Sequence, residues 1–362
     1  MTRPVRARID LKALQHNFSL ARQAAGDSRI LAVIKANAYG HGAIPVARAL
    51  PEADAFALAS VEEAVRLREA GIDTPLVLLG GVFAADELEA VVAHELQMVV
   101  HSPEQVGWLE QTAAAAPLHL WLKVDTGMHR LGIAPAQLHD IRRRLSALIA
   151  ARGGSLRLMS HLACADEPKH PANDRQLAAF RTLDAGGFER SLANSAALLS
   201  RADMRFDWVR PGIMLYGASP FEPSADRQTT LRPVMSLESQ LIAVYPRRKG
   251  DSIGYGQSWT CPRDMPVGVA AAGYGDGYPR HAPTGTPVLV NGRAASLIGR
   301  VSMDLVCVDL SDQPGARVGD PVRLWGDGLP VEAVAESAGT ISYEVLCNVS
   351  PRVPRDYADG ES

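Results

Sequence analysis

At 362 residues the chain is long for one compact core, so two domains are expected. A formal net charge of -3 leaves no basic field for nucleic acid or an anionic membrane surface and favours small-molecule chemistry. Cys164, Cys261, Cys307 and Cys347 lie far apart without paired spacing, and no stretch has signal-peptide or membrane-span length. Neither a disulfide framework nor a zinc site is suggested, no membrane span is expected, and a reducing, cytoplasmic setting is expected.

Residues 5–10 alternate apolar and polar as a half-exposed strand does, and Asp10 is placed to cap a helix over 11–25 that Gly26 stops. From residue 30 a unit repeats, with apolar strands over 30–34, 55–59, 75–79, 96–100, 118–124, 156–161, 191–195 and 206–209. Amphipathic segments such as 137–151 and 175–183 lie between them, Ser60 with Glu63 reads as a capping box, and Ser102-Pro103 supplies a cap and a first-turn proline. Eight such units predict an α/β fold, a (β/α)8 TIM-like barrel, with an open doubly wound sheet as the alternative. From about residue 232 the texture changes to short strands, 239–245, 267–272, 288–290, 297–305 and 321–325, then helical segments 331–338 and 343–348 before Pro351 and Pro354. The expected organisation is a barrel over 1–231 and a mostly β C-terminal domain over 232–362, with residues 1–10 able to pair with the latter.

In a barrel, chemistry collects at the carboxyl ends of the strands. The first apolar run ends in Lys35, within Arg29-Ile-Leu-Ala-Val-Ile-Lys35-Ala-Asn-Ala-Tyr39-Gly-His41-Gly42. The fifth runs into Lys123-Val-Asp125-Thr-Gly-Met-His-Arg130, the sixth ends at His161, the seventh at Asn194-Ser195, and the eighth at Arg210-Pro-Gly212-Ile213. Loops after strands seven and eight often hold phosphate, and here they offer Ser195 and the amides of Gly212 and Ile213.

The heptad Lys35 to His41 closely resembles the pyridoxal-phosphate attachment signature of alanine racemases, and further matching segments follow in family order to Tyr343. The resemblance implies pyridoxal 5′-phosphate held by Lys35 as a Schiff base, with Tyr39 reaching toward its phosphate. Such a lysine must at times be neutral, which burial and nearby cations favour. It further implies Tyr255, in Ile253-Gly254-Tyr255-Gly256, as the second acid-base group. Arg210 would face the pyridine nitrogen with His161 supporting it, and Arg130 and the Met303 backbone would meet the substrate. Tyr343 would contact the phosphate near an entrance whose charged outer layer includes Asp166 and Arg300.

In some members the lysine matching Lys123 is carbamylated; if it is unmodified here, Asp125 or chloride is the alternative partner. The implied function is interconversion of L- and D-alanine, a cell-wall precursor, by a head-to-tail homodimer in which Tyr255 acts on the other chain's cofactor. A broader or serine-preferring racemase, a non-catalytic cofactor carrier and a related barrel decarboxylase are the rivals. The decarboxylase would set a carboxylate where this chain has Arg210.

Overall fold

The computed structural model describes residues 3–112, 116–222 and 230–358. Eight parallel strands close into a barrel: β2 (Arg29–Val33), β3 (Ala55–Leu58), β4 (Leu76–Leu78), β5 (Gln97–Val100), β6 (Leu118–Lys123), β7 (Gly154–Met159), β8 (Arg190–Asn194) and β9 (Trp208–Arg210). Closure comes from β2 on β9, with Arg29 opposite Trp208 and Ile30 opposite Val209. β3 to β5 are almost wholly buried, because helices cover the outside of the wall and side chains fill its lumen; continuous apolar runs are the sequence form of that burial. Local signals work largely as read. Asp10 accepts the Ala13 N–H at 2.9 Å to cap the helix Leu11–Ala25, and Ser102 caps Pro103–Gln111.

The strand before the barrel, β1 (Arg6–Asp10), belongs to another sheet. It pairs antiparallel with β10 (Met235–Arg247) and parallel with β18 (Arg355–Ala358), so both ends of the chain meet in the C-terminal sheet. That sheet also contains β13 (Met265–Ala270), β14 (Pro287–Val290), β15 (Arg293–Ile298), β16 (Val306–Asp309) and β17 (Pro321–Trp325), while β11 (Ser252–Ile253) and β12 (Trp259–Thr260) form a small hairpin beside it. One expectation changes and one strand is added. Residues 297–305, expected as one strand, hold only the end of β15 and the turn into β16, since Gly299 lies at φ +71 and the Ser302 N–H donates to the Leu305 carbonyl across the turn. The strand β18 was hidden by the two prolines before it and by its polar residues; its pairing with β1 makes it a strand.

Candidate active site

Lys35 is the second residue past β2, at the barrel mouth. The backbone then does what no side-chain pattern announced: Ala36, Asn37, Ala38 and Tyr39 have φ of 52, 52, 54 and 51, a left-handed turn of four L-residues. Each such residue costs roughly 1–2 kcal/mol, so the surroundings must enforce it. They do so with hydrogen bonds from Ala38 to the Ile34 carbonyl (2.8 Å) and from Gly40 to that of Ala36 (3.0 Å). Asn37 Oδ1 takes the Ala43 N–H at 2.9 Å. The Glu63 carboxylate takes the N–H groups of Asn37 (3.3 Å) and Ala59 (2.9 Å). Glu63 was read as half of a capping box, but Ser60 makes no side-chain cap and the carboxylate serves the Lys35 loop instead.

This turn sends Tyr39 into the wall, where its ring stacks on Tyr216 at 4.7 Å and lies 5.9 Å from Tyr343. Lys35 stays at the mouth. Burial, and after it the Arg130 charge, lower the Lys35 pKa, with Cys347 and Glu63 pulling partly back. Burial also raises the Tyr343 phenol to about 12, so it is a neutral hydroxyl at physiological pH.

Arg210 closes β9 next to an irregular stretch of the β8–β9 pairing, between Ser191 and Asn194. It donates to Ser191 Oγ (2.6 Å), to the carbonyls of Ser160 (2.6 Å) and Leu192 (3.1 Å), and toward His161 Nδ1 (3.4 Å). Every one of these acceptors is neutral. Burial lowers the guanidinium to about 10, so it keeps its charge at pH 7. For His161, burial and then Arg210, Lys123, Arg130 and Lys35 push the pKa well below its ordinary value, leaving a neutral ring able to accept at Nδ1.

Ser195 opens the short helix Ser195–Ser200, which Asn194 caps by accepting the Ala197 N–H at 3.0 Å. Ser195 Oγ accepts the Gly212 N–H at 2.8 Å and retains its own hydrogen to donate. A Cβ on Gly212 would lie 2.7 Å from the Tyr39 hydroxyl, so the bare glycine keeps this polar cradle open. Burial, followed by Arg210, Arg130 and Lys35, lowers Lys123 to about 8. Asp125 is not its hydrogen-bond partner. Asp125 Oδ1 accepts the N–H groups of Gly127 (2.9 Å), Met128 (3.1 Å) and His129 (3.1 Å), and Oδ2 meets His129 Nδ1 at 3.0 Å. Among the described residues no carboxylate pairs with Lys123.

Lys35, Tyr39, Lys123, His161, Asn194, Ser195, Arg210 and Gly212 line one cavity of ≈ 940 Å³, as do Arg130, Ile213, Tyr343 and Asp166. Asp166, Glu222, Glu332 and Glu336 also line it, but among the described residues none of them forms a salt bridge with Lys35, Lys123, Arg130 or Arg210, which leaves those cations for a ligand bearing phosphate and carboxylate. Of the predicted residues, Tyr255, Met303 and Arg300 are not brought there. Tyr255, 68% exposed, sits on the β11–β12 turn, and Met303, 52% exposed, on the turn between β15 and β16. Ser160, Ser191 and Glu63, which hold Arg210 and the Lys35 loop, had no sequence signal for those roles.

Residues 9–220 match the family model for the alanine racemase N-terminal domain, and residues 234–357 that for its C-terminal domain. The chain belongs to the alanine racemase family. Similarity runs end to end: an alanine racemase of Nitrosococcus oceani is 52% identical, covering 96% of this chain and 97% of that one. The biosynthetic alanine racemase of Escherichia coli is 48% identical, covering 97% and 98%. The crystal structure of the biosynthetic alanine racemase from Pseudomonas aeruginosa superposes with a TM-score of 0.92 at 47% identity, covering 99% of this chain and 100% of that one. That of the Bartonella henselae alanine racemase, described with covalently bound pyridoxal phosphate, has a TM-score of 0.89 at 30% identity, covering 99% and 100%. The activity is racemisation of alanine, an isomerase reaction. No helix among the described residues is long and apolar enough to cross a membrane.

Proposed function

We propose that this alanine racemase works on pyridoxal 5′-phosphate seated in the barrel mouth, by a two-base mechanism completed by a second copy of the chain, and that it supplies D-alanine for peptidoglycan in the cytoplasm. The observation that carries the reading is the convergence of Lys35, Arg210 with only neutral partners, and the Ser195–Gly212 cradle on one cavity. The residues fit the cofactor. Tyr39, Ser195 and the amides of Gly212 and Ile213 would hold its phosphate, Arg210 would donate to its ring nitrogen, and Lys35 would link to its carbonyl carbon.

When bound, the cofactor supplies an electron-accepting ring that makes the amino acid's α-hydrogen acidic. Arg210 tempers that acidity, because a guanidinium that keeps its own proton at pH 7 leaves the ring nitrogen unprotonated. Lys35, whose pKa burial and then Arg130 lower, takes or gives the α-proton on one face. Arg130 receives the substrate carboxylate. Tyr255 of the partner subunit serves the opposite face, and the Met303 backbone from that subunit binds substrate. A neutral Lys123 amine adds carbon dioxide and releases one proton, leaving a carbamate that would give Arg130 its missing anion; with a pKa of about 8, roughly one-tenth of the amine is neutral at pH 7.

The shared site is supported by exposed apolar side chains at two places. Phe83, Leu131 and Ile341 border the cavity, and Tyr255, Tyr274, Met303 and Leu305 stand on the second domain. A two-fold head-to-tail dimer would bury both patches against each other and exclude water from the cofactor. The four cysteines are free thiols, which supports the cytoplasmic setting.

Borohydride treatment of the loaded enzyme followed by peptide mapping should place the pyridoxyl group on Lys35; label on Lys123 or elsewhere rejects the assignment. Lys35→Ala and Tyr255→Phe chains, each inactive alone, should recover about a quarter of wild-type activity when equal amounts exchange subunits, since half the dimers are mixed and half their sites intact. Verified exchange without activity rejects the shared site.

A further inference from the structure

We infer that Asp276 is a positioning residue for the substrate-binding backbone of Met303, and that it acts on the partner's site rather than on the cavity of its own chain. The inference rests on the shared-site reading above. Asp276 is fully buried and lies outside the cavity. Its carboxylate is gripped from two sides: Arg3 donates to Oδ1 (2.6 Å) and Oδ2 (2.8 Å), and Arg352 Nε donates to Oδ1 (2.9 Å). The Gly273 N–H donates to Oδ2 at 2.9 Å, which folds residues 273–276 into a tight turn under the carboxylate.

The two arginines then reach past Asp276 to the 302–304 turn. Arg3 donates to the Asp304 carbonyl at 3.1 Å, and Arg352 pairs with the Asp304 carboxylate at 2.7 Å and meets the Met303 carbonyl at 3.5 Å. The Gly273–Asp276 turn does the rest: Tyr274 donates to the Ser302 carbonyl (3.0 Å) and Gly275 to that of Met303 (2.8 Å). The packing admits no slack, since a Cβ on Gly273 would sit 2.5 Å from the Met303 oxygen and one on Gly275 2.5 Å from Arg352 Nη2. The Met303 carbonyl is thus held inward by several donors, while among the described residues its N–H meets no acceptor. A buried carboxylate bridging two arginines from opposite ends of the chain, residues 3 and 352, therefore holds an exposed residue whose N–H has no acceptor among the described residues.

Such a donor would meet the substrate carboxylate, which is bonded to the reacting carbon yet carries its negative charge both before and after the α-proton leaves, so the contact serves ground and transition states alike. Loosening it removes binding without changing the chemical step, so KM rises while kcat holds. Two tagged chains, one carrying Lys35→Ala and the other Tyr255→Phe, co-expressed and purified through both tags, form heterodimers with one working site each. That site takes Lys35 from the second chain, and Tyr255 and Met303 from the first.

Asp276→Asn placed in the first chain should raise KM for alanine about three- to tenfold with kcat within about twofold; placed in the second chain it should leave both unchanged. Arg352→Gln, at a partly exposed arginine whose loss folding tolerates more readily, should follow the same placement rule with a smaller rise. An equal effect from either placement, or none from either, overturns the inference while the parent heterodimer's activity leaves the shared site standing. An inactive parent heterodimer overturns both.

Discussion

Replacing Lys123 with methionine should stabilise the protein at neutral pH, although it removes a residue of the candidate site. Lys123 is buried, has no carboxylate partner among the described residues, and has its pKa brought from an ordinary 10.5 to about 8 by burial and then by the charges of Arg210, Arg130 and Lys35. Below pH 8 both native and unfolded chains hold the proton, and the native state bears the full cost of an unpaired buried charge. Between pH 8 and 10.5 the unfolded chain binds a proton that the native chain does not, so stability rises with pH and the cost fades. A lowering of about 2.5 units corresponds to on the order of 3 kcal/mol at pH 7. Methionine keeps the apolar stem and removes the charge. In buffer freed of carbon dioxide and at fixed protomer concentration, thermal unfolding of Lys123→Met should therefore lie several degrees above wild type at pH 7, with the gap closing toward pH 10.5. Bicarbonate should narrow the gap at pH 7 by raising the wild-type protein alone, because the carbamate supplies the anion that the cations lack. A gap of either sign that does not change between pH 7 and 10 would refute the account of Lys123 as an uncompensated charge.

Two further substitutions test the geometry around the cofactor site. Arg210→Glu should lower racemisation and raise the share of transamination, since a carboxylate there stabilises a protonated ring nitrogen; pyruvate formation measured against D-alanine formation reads the ratio, and an unchanged ratio rejects that role. Gly40→Ala should cost more than about 1 kcal/mol in unfolding and weaken retention of pyridoxal phosphate in dialysis, because Gly40 lies at φ +81 and a Cβ there runs into the Leu346 carbonyl. Wild-type stability and retention in that variant would show that the left-handed turn tolerates displacement.

The barrel was legible because its signals are local. Apolar runs of strand length, the Asp10 and Ser102 caps and the recurrence of the strand-helix unit each depend on a few neighbouring residues, and burial on both faces of a parallel strand leaves a direct trace in composition. The rule that barrel chemistry lies at strand carboxyl ends then located Lys35, Lys123, His161, Ser195 and Arg210, and the structure brings all five to one cavity. Tertiary structure alone decided features that depend on partners far along the chain. In Ala-Asn-Ala-Tyr only Asn enters the left-handed region readily; the hydrogen bonds to Glu63 and from Ala43 to Asn37 hold all four residues there. Pairing with β10 and β18 puts β1 in the C-terminal sheet, and a turn at Gly299 divides an apparently continuous strand and exposes Met303. A buried cation's pKa is likewise the sum of neighbours that the fold assembles: Lys123 and Asp125 are two residues apart, yet Asp125 is held by its own loop while Arg210, 87 positions on, weighs more heavily on the lysine.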